Sequence, residues 1–195
     1  MTKQKYSNNY LDIIEKYKSF HSKGAKKLSP SQTFAGYSLV KWVANLKKII
    51  EDNNCKSLIG YGCGKAMLYN NSITIDKIKY KNITDYWNIQ NIYLYNLAGI
   101  IYSKNLTKNA DGVVFADVIK HIPEEDIMIF INDIFKPANK FIVIVMVIAT
   151  KPASKYFEDG RNIYICLKSQ DEWLTVFQKF KKQYPDINQY FFFNE

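Results

Sequence analysis

The sequence predicts an α/β fold, a Rossmann-like doubly wound sheet. The sheet is mainly parallel, has about six to seven strands, carries helices on both faces and ends in an antiparallel strand. Three observations predict it. Short apolar runs alternate with segments of helical period along the chain. One run, Phe141 to Ala149, is almost continuously apolar, as expected of a strand covered on both faces. The first run breaks into Gly60, Gly62 and Gly64 within five residues, the usual way a buried parallel strand turns sharply into a helix beside a ligand.

In order, Tyr10 to Phe20 has a helical spacing of apolar side chains, and Ser29 to Gly36 reads as a loop. A helix with Leu39, Trp42, Val43, Leu46, Ile49 and Ile50 on one face follows, ended by Asp52-Asn53-Asn54. The first strand is Ser57 to Gly60. Asn70 to Trp87 has no firm period and reads as loop with a short helix. Asn91 to Asn96 and Asp111 to Asp117 are strands that each end on a polar residue. Pro123 with three acids after it opens a helix with an inner face of Ile127, Phe130, Ile131, Ile134 and Phe135. Pro137 to Asn139 breaks it, and Lys140 to Val147 is the next strand. Asn162 to Leu167 reads as a strand, Asp171 to Gln183 as a helix, and Gln189 to Phe193 as the closing antiparallel edge strand.

A chain of 195 residues, 47% hydrophobic, supports one domain with a real core, with residues 1–38 as an N-terminal helical cap over the crevice. The longest apolar run has nine residues, against the ~20 of a spanning helix, and no secretory leader is readable, so no membrane partner is expected. Cys55, Cys63 and Cys166 form no CxxC pair, which argues for a reduced, cytoplasmic protein without a disulfide framework. With His21 and His121 as the only histidines, no zinc-ligand cluster is readable and no metal is expected. The net charge of +9 admits a nucleic-acid partner, but the lysines are spread along the chain and Arg161 is the single arginine. In open sheets of this kind ligands sit beyond the carboxyl ends of the strands. Three strand ends then converge there: the glycine turn, Asn96 and Asp117.

The stretch Leu58-Ile59-Gly60-Tyr61-Gly62-Cys63-Gly64-Lys65 resembles the L-L-D-Y-G-C-G-K motif of class I S-adenosylmethionine-dependent methyltransferases. Asp111 to Asp126, with Asp117-Val118-Ile119-Lys120-His121-Ile122-Pro123, resembles their D-x-V-x-x-x-D-V-L-E-H-I-P-E-E-D motif. Thr33-Phe34-Ala35-Gly36, Glu158 to Asn162 and Asp171-Glu172-Trp173 are similar to a small branch of that family from bacteria and phages. The resemblance implies S-adenosylmethionine as cofactor, S-adenosylhomocysteine as product and a small-molecule or other methyl acceptor. It assigns Gly60, Tyr61, Gly62, Cys63, Gly64, Lys65, Asn96, Ala116, Asp117 and Val118 to the cofactor. It assigns Asp117 and His121 to catalysis, the imidazole facing the acceptor as base or hydrogen-bond partner.

The chain departs from the family at Gly60 (an acid there), at Asn96 (an acid) and at Lys120 (Glu). An amide in place of a carboxylate at position 96 forgoes a charge-assisted bond, about 1–2 kcal/mol or on the order of ten-fold in affinity. A catalytically degenerate relative serving as a binding or scaffold partner is the alternative reading.

Overall fold

The computed structural model describes residues 5–24, 29–99, 101–103 and 106–194. Parts of the N-terminal cap (1–4 and 25–28) and of the irregular 98–110 segment lie outside the described residues.

Helix α1 (Asn8–Lys23) starts where the Ser7 hydroxyl accepts from the Tyr10 amide and ends at Gly24. Its buried positions, Tyr10, Ile13, Tyr17 and His21, recur every three or four residues and so share one face. Helix α2 (Val43–Asp52), entered through a short 3₁₀ turn at Val40–Trp42, buries Leu46, Ile49 and Ile50. Strand β1 (Ser57–Tyr61) leads through the glycine turn into one helical turn, α3 (Met67–Asn70).

The 70–87 segment, read as loop with a short helix, contains more. It holds a hairpin of β2 (Ile73–Ile75) and β3 (Ile78–Tyr80), then α4 (Ile83–Trp87). Asp76 and Lys77 make its two-residue turn, both with positive φ (50° and 67°). Hairpin turns of that backbone normally carry Asn-Gly or Asp-Gly, so Asp-Lys gives no local signal. Strands β4 (Asn91–Tyr95) and β5 (Ala110–Ala116) follow, then α5 (Ile127–Phe135), β6 (Ala138–Val147), α6 (Gln170–Gln183) and β7 (Asn188–Asn194). Ser169 and Glu172 cap α6 reciprocally.

The main sheet has five strands in the order β4-β1-β5-β6-β7; with the separate hairpin the described residues hold seven. Every pair in the main sheet is parallel, β6 with β7 included. The expected antiparallel last strand is therefore corrected. Helix α6 carries the chain back across the sheet before β7 begins, and a helical crossover of that kind delivers a parallel strand. The predicted strand at 162–167 is also absent; Asn162 makes a single bridge to Tyr156. The amides of Ile165 and Cys166 instead donate to the Lys120 carbonyl, so this extended segment is tied to the end of β5 rather than to a sheet neighbour.

Apolar layers cover both faces. Phe130, Ile131 and Phe135 of α5 and Trp173, Phe177 and Phe180 of α6 pack on one, joined by Tyr10 of α1. Leu46, Ile49 and Ile50 of α2 and Ile83 and Trp87 of α4 pack on the other. From β1 the chain moves outward to β4, then returns to the opposite side of β1 for β5. The seam between β1 and β5 is thus the topological switch point, where a crevice opens beyond the strand ends.

Candidate functional site

A cavity of about 260 Å³ lies at that seam. Tyr61, Gly62 and Gly64 reach it from β1, Asn96 and Leu97 from the end of β4, and Ala116, Asp117, Val118 and His121 from the end of β5. Helix α1 roofs it with Tyr10, Ile13, Ile14, Tyr17 and His21. Of the residues singled out from the sequence, Gly60, Cys63 and Lys65 do not line it. Gly60 is inside β1 and faces Leu94 and Tyr69. Cys63 is buried, and burial pushes its thiol up to about 12, so it is no thiolate nucleophile near neutrality. The Lys65 ammonium donates to the Thr33 carbonyl at 2.7 Å, on the loop after α1.

The glycine turn is largely occupied by the protein itself. The Gly62 amide donates to the Tyr95 carbonyl (2.7 Å), that of Lys65 to Phe34 (2.8 Å) and that of Met67 to Ala35 (2.9 Å). Gly64 has φ +59°, and a Cβ there would stand 2.3 Å from the Phe34 carbonyl oxygen. Gly62 has φ +72°, and a Cβ would meet a Val118 methyl at 2.3 Å. Both glycines are required by positive φ and by close approach of this chain's own loops.

Asn96 stands between the turn and the roof. Its Nδ2 donates to the Gly64 carbonyl (3.3 Å) and lies 3.4 Å from Nε2 of His21. With both amide protons directed at protein groups, Oδ1 is the acceptor left for the cavity. Nε2 of His21 must then carry the lone pair. The His21 ring stacks on Phe34 (4.8 Å), and burial first, then the Lys65 charge, lowers its pKa from 6.5 to about 4.

At the β5 end, Asp117 turns the backbone with φ +59°, a region Asp enters more readily than most residues. Its amide donates to Val145 (2.8 Å), and its Oδ1 accepts from Lys120 Nζ at 2.5 Å. Lys120 is 4% exposed, and its ammonium lies 4.5 Å from the centre of the Tyr164 ring. Lys120 is therefore the buried counter-ion of Asp117.

His121 is fixed by two distant segments. Its Nδ1 is 2.8 Å from the Ile163 carbonyl and 2.6 Å from the Tyr17 hydroxyl, which itself donates to Ile163 (3.1 Å). A carbonyl cannot donate, so Nδ1 carries the hydrogen and Nε2 the lone pair. Burial first, then the neighbouring Lys120, lowers the His121 pKa, and against the raising effects of the Ile163 carbonyl and Asp117 it stands at about 4. At neutral pH the ring is a neutral hydrogen-bond acceptor held in one tautomer. Burial also raises the Tyr17 and Tyr61 phenols, which stay protonated.

Arg161 does not line the cavity. It pairs with Asp12 and, at 2.7 Å, with Asp159, while Lys16 meets Asp159 at 2.9 Å. These ions tie α1 to the loop before residue 163. Among the described residues no three His, Cys, Asp or Glu side chains gather to hold a metal ion. Sequence reasoning missed Tyr17, His21, Phe34 and Tyr164 as site residues. The helical period placed Tyr17 on the inner face of α1, but nothing local showed that this face looks onto a cavity. No family model, curated protein or solved structure matches this chain.

Proposed function

We propose that the chain is a single-domain, cytoplasmic S-adenosylmethionine-dependent methyltransferase acting on a small acceptor, with S-adenosylhomocysteine as product. The observation that carries the reading is the convergence of Tyr61, Gly62 and Gly64, of Asn96, and of Asp117, Val118 and His121 on one cavity at the switch point. The donor set suits an adenosyl group. Asn96 Oδ1 would accept from a ribose hydroxyl, the main chain at Gly62 and Gly64 would flank the amino-acid end, and Ala116 to Val118 would border the acceptor side. When bound, S-adenosylmethionine supplies a methyl group on a positively charged sulfur. The protein holds the acceptor in line, and proximity supplies much of the rate. Nε2 of His121 would accept a hydrogen bond from the acceptor's O–H or N–H, orient its lone pair, and take up the proton that the methylated oxygen or nitrogen releases. The aromatic walls from Tyr10, Tyr17 and Tyr61 keep water out.

A second reading, a catalytically degenerate relative that serves as a binding or scaffold partner, is favoured by two observations. Lys120 neutralises Asp117, and Asn96 offers one uncharged acceptor oxygen where a carboxylate would offer two. Calorimetry and thermal shift with S-adenosylmethionine and S-adenosylhomocysteine test both. Binding with methyl transfer to a panel of small hydroxy and amino acceptors supports the enzyme. Binding of both nucleosides with no transfer supports the second reading. Absence of heat and of any shift at millimolar ligand overturns the enzyme and leaves the binding or scaffold partner.

A further inference from the structure

Strand β7 closes the sheet, bonded to β6 alone, in a register unbroken over seven positions from Asn188 to Asn194. Both its faces are covered. Phe191 meets Phe177 of α6 at 5.3 Å, and Phe192 stacks on Trp42 at 4.7 Å. The Trp42 indole donates to Asn194 Oδ1 at 2.9 Å. Its outer edge has no strand beside it among the described residues.

Edge strands are normally guarded by lysine, proline or a bulge, because a row of open N–H and C=O groups is a template for another chain. β7 reads Asn-Gln-Tyr-Phe-Phe-Phe-Asn and has none of these guards. In a protein of net charge +9 it is a seven-residue stretch without a charge. Read outward from Phe191 in either direction, the strand matches an aromatic with an aromatic at Tyr190 and Phe192 and Asn with Asn at Asn188 and Asn194, and differs at Gln189 and Phe193. Beside it, an open hollow is lined by Leu174, Gln178 and Lys181 of α6 with Gln189 and Phe191. The Lys181 ammonium there is held by the Pro185 and Ile187 carbonyls. The Gln189 Nε2 is buried with no hydrogen-bond partner among the described residues, a donor they leave unused.

We propose that two copies of this chain pair antiparallel through β7, about a two-fold axis at Phe191, so that two five-stranded sheets join into one of ten. A second copy fits better than a foreign segment because the strand is its own complement under that rotation. Phe191 meets Phe191, Tyr190 meets Phe192, Asn188 meets Asn194, Gln189 lies against Phe193, and no charge opposes another. The contact is isologous and uses both copies' open β7 edge, so assembly stops at two. Pairing β7 with β4 of another copy would not close and would build filaments. This inference is independent of the methyltransferase reading.

The test uses the full chain. Light scattering and sedimentation across a concentration series should give twice the chain mass. Hydrogen exchange of the β7 amides should slow as concentration rises, while β5 and β6 amides do not change. Gln189→Lys with Phe193→Lys sets lysines at positions that face each other across the axis. Dimerisation should weaken at least about ten-fold with the circular dichroism spectrum retained. A single-chain mass up to about 100 μM with concentration-independent β7 exchange would overturn the proposal, as would filaments. A dimer indifferent to the double substitution, with β7 amides still exchanging freely, would overturn it too. Should the double variant not fold, the exchange of the unaltered chain decides alone.

Discussion

Two turns face each other across the β1–β5 seam and use their residues in opposite ways. The turn after β1 is nearly all backbone. Its glycines let the Phe34 carbonyl and the Val118 methyl come within reach, and its amides are engaged by Tyr95, Phe34 and Ala35. The turn after β5 has no glycine and works through side chains: a carboxylate, its buried ammonium and a tautomer-fixed imidazole. The difference teaches that the more conspicuous motif mainly shapes the crevice, whereas the quieter one supplies the chemistry available in it.

The sharpest way to break this contrast is Gly64→Ala. Left-handed backbone and a contact 2.3 Å from the Phe34 carbonyl should together cost on the order of 3–4 kcal/mol in urea unfolding. Gly160 has φ +84° with nothing within 4 Å, so Gly160→Ala should cost only about 1 kcal/mol. Equal losses at the two sites would refute the close-approach account of the glycine turn.

On the other side of the seam, Asp117→Ala strands the Lys120 ammonium and should cost about 2–3 kcal/mol. Lys120→Met removes the buried charge and should stay within about 1 kcal/mol of the parent. Denaturant midpoints of the two variants check the asymmetry; the reverse order would mean that Asp117, not Lys120, is the costly ion.

A pH series sharpens the role of the histidines. Both have folded pKa values near 4, below the usual 6.5, so the unfolded chain binds their protons first. Stability should be fully present above about pH 6.5 and be lost progressively as pH drops through the window to 4. His21→Gln and His121→Gln should each flatten that slope. Asp159 and Asp111 have depressed pKa values, so their contribution is lost only at lower pH.

The smallest effect is expected from Arg161→Ala. Its exposed ion pairs with Asp12 and Asp159 should be worth at most about 1 kcal/mol, and the loss should vanish in high salt.

Much of the fold was legible because strands buried on both faces write themselves as apolar runs: Leu58-Ile59, Val113 to Phe115, and Phe141 to Val147. The direction of β7 was not legible from its own residues, since it depends on α6 crossing the sheet. The 162–167 segment has strand composition, yet its amides are claimed by the Lys120 carbonyl, a partner more than 40 residues earlier. In the site, the polar strand ends Asn96 and Asp117 were readable. Tyr17, His21 and Phe34 were not, because an amphipathic helix shows which face is buried but not what lies opposite.

One imidazole nitrogen joins three parts of the chain: the first helix through Tyr17, the β5 turn through His121 itself, and the late loop through Ile163. Contacts so far apart in sequence exist together only in the assembled fold, so the single tautomer of the ring is a property of the native state. The nitrogen chemical shifts of that ring would serve as a spectroscopic gauge of whether the roof is seated, read at one atom and without any ligand.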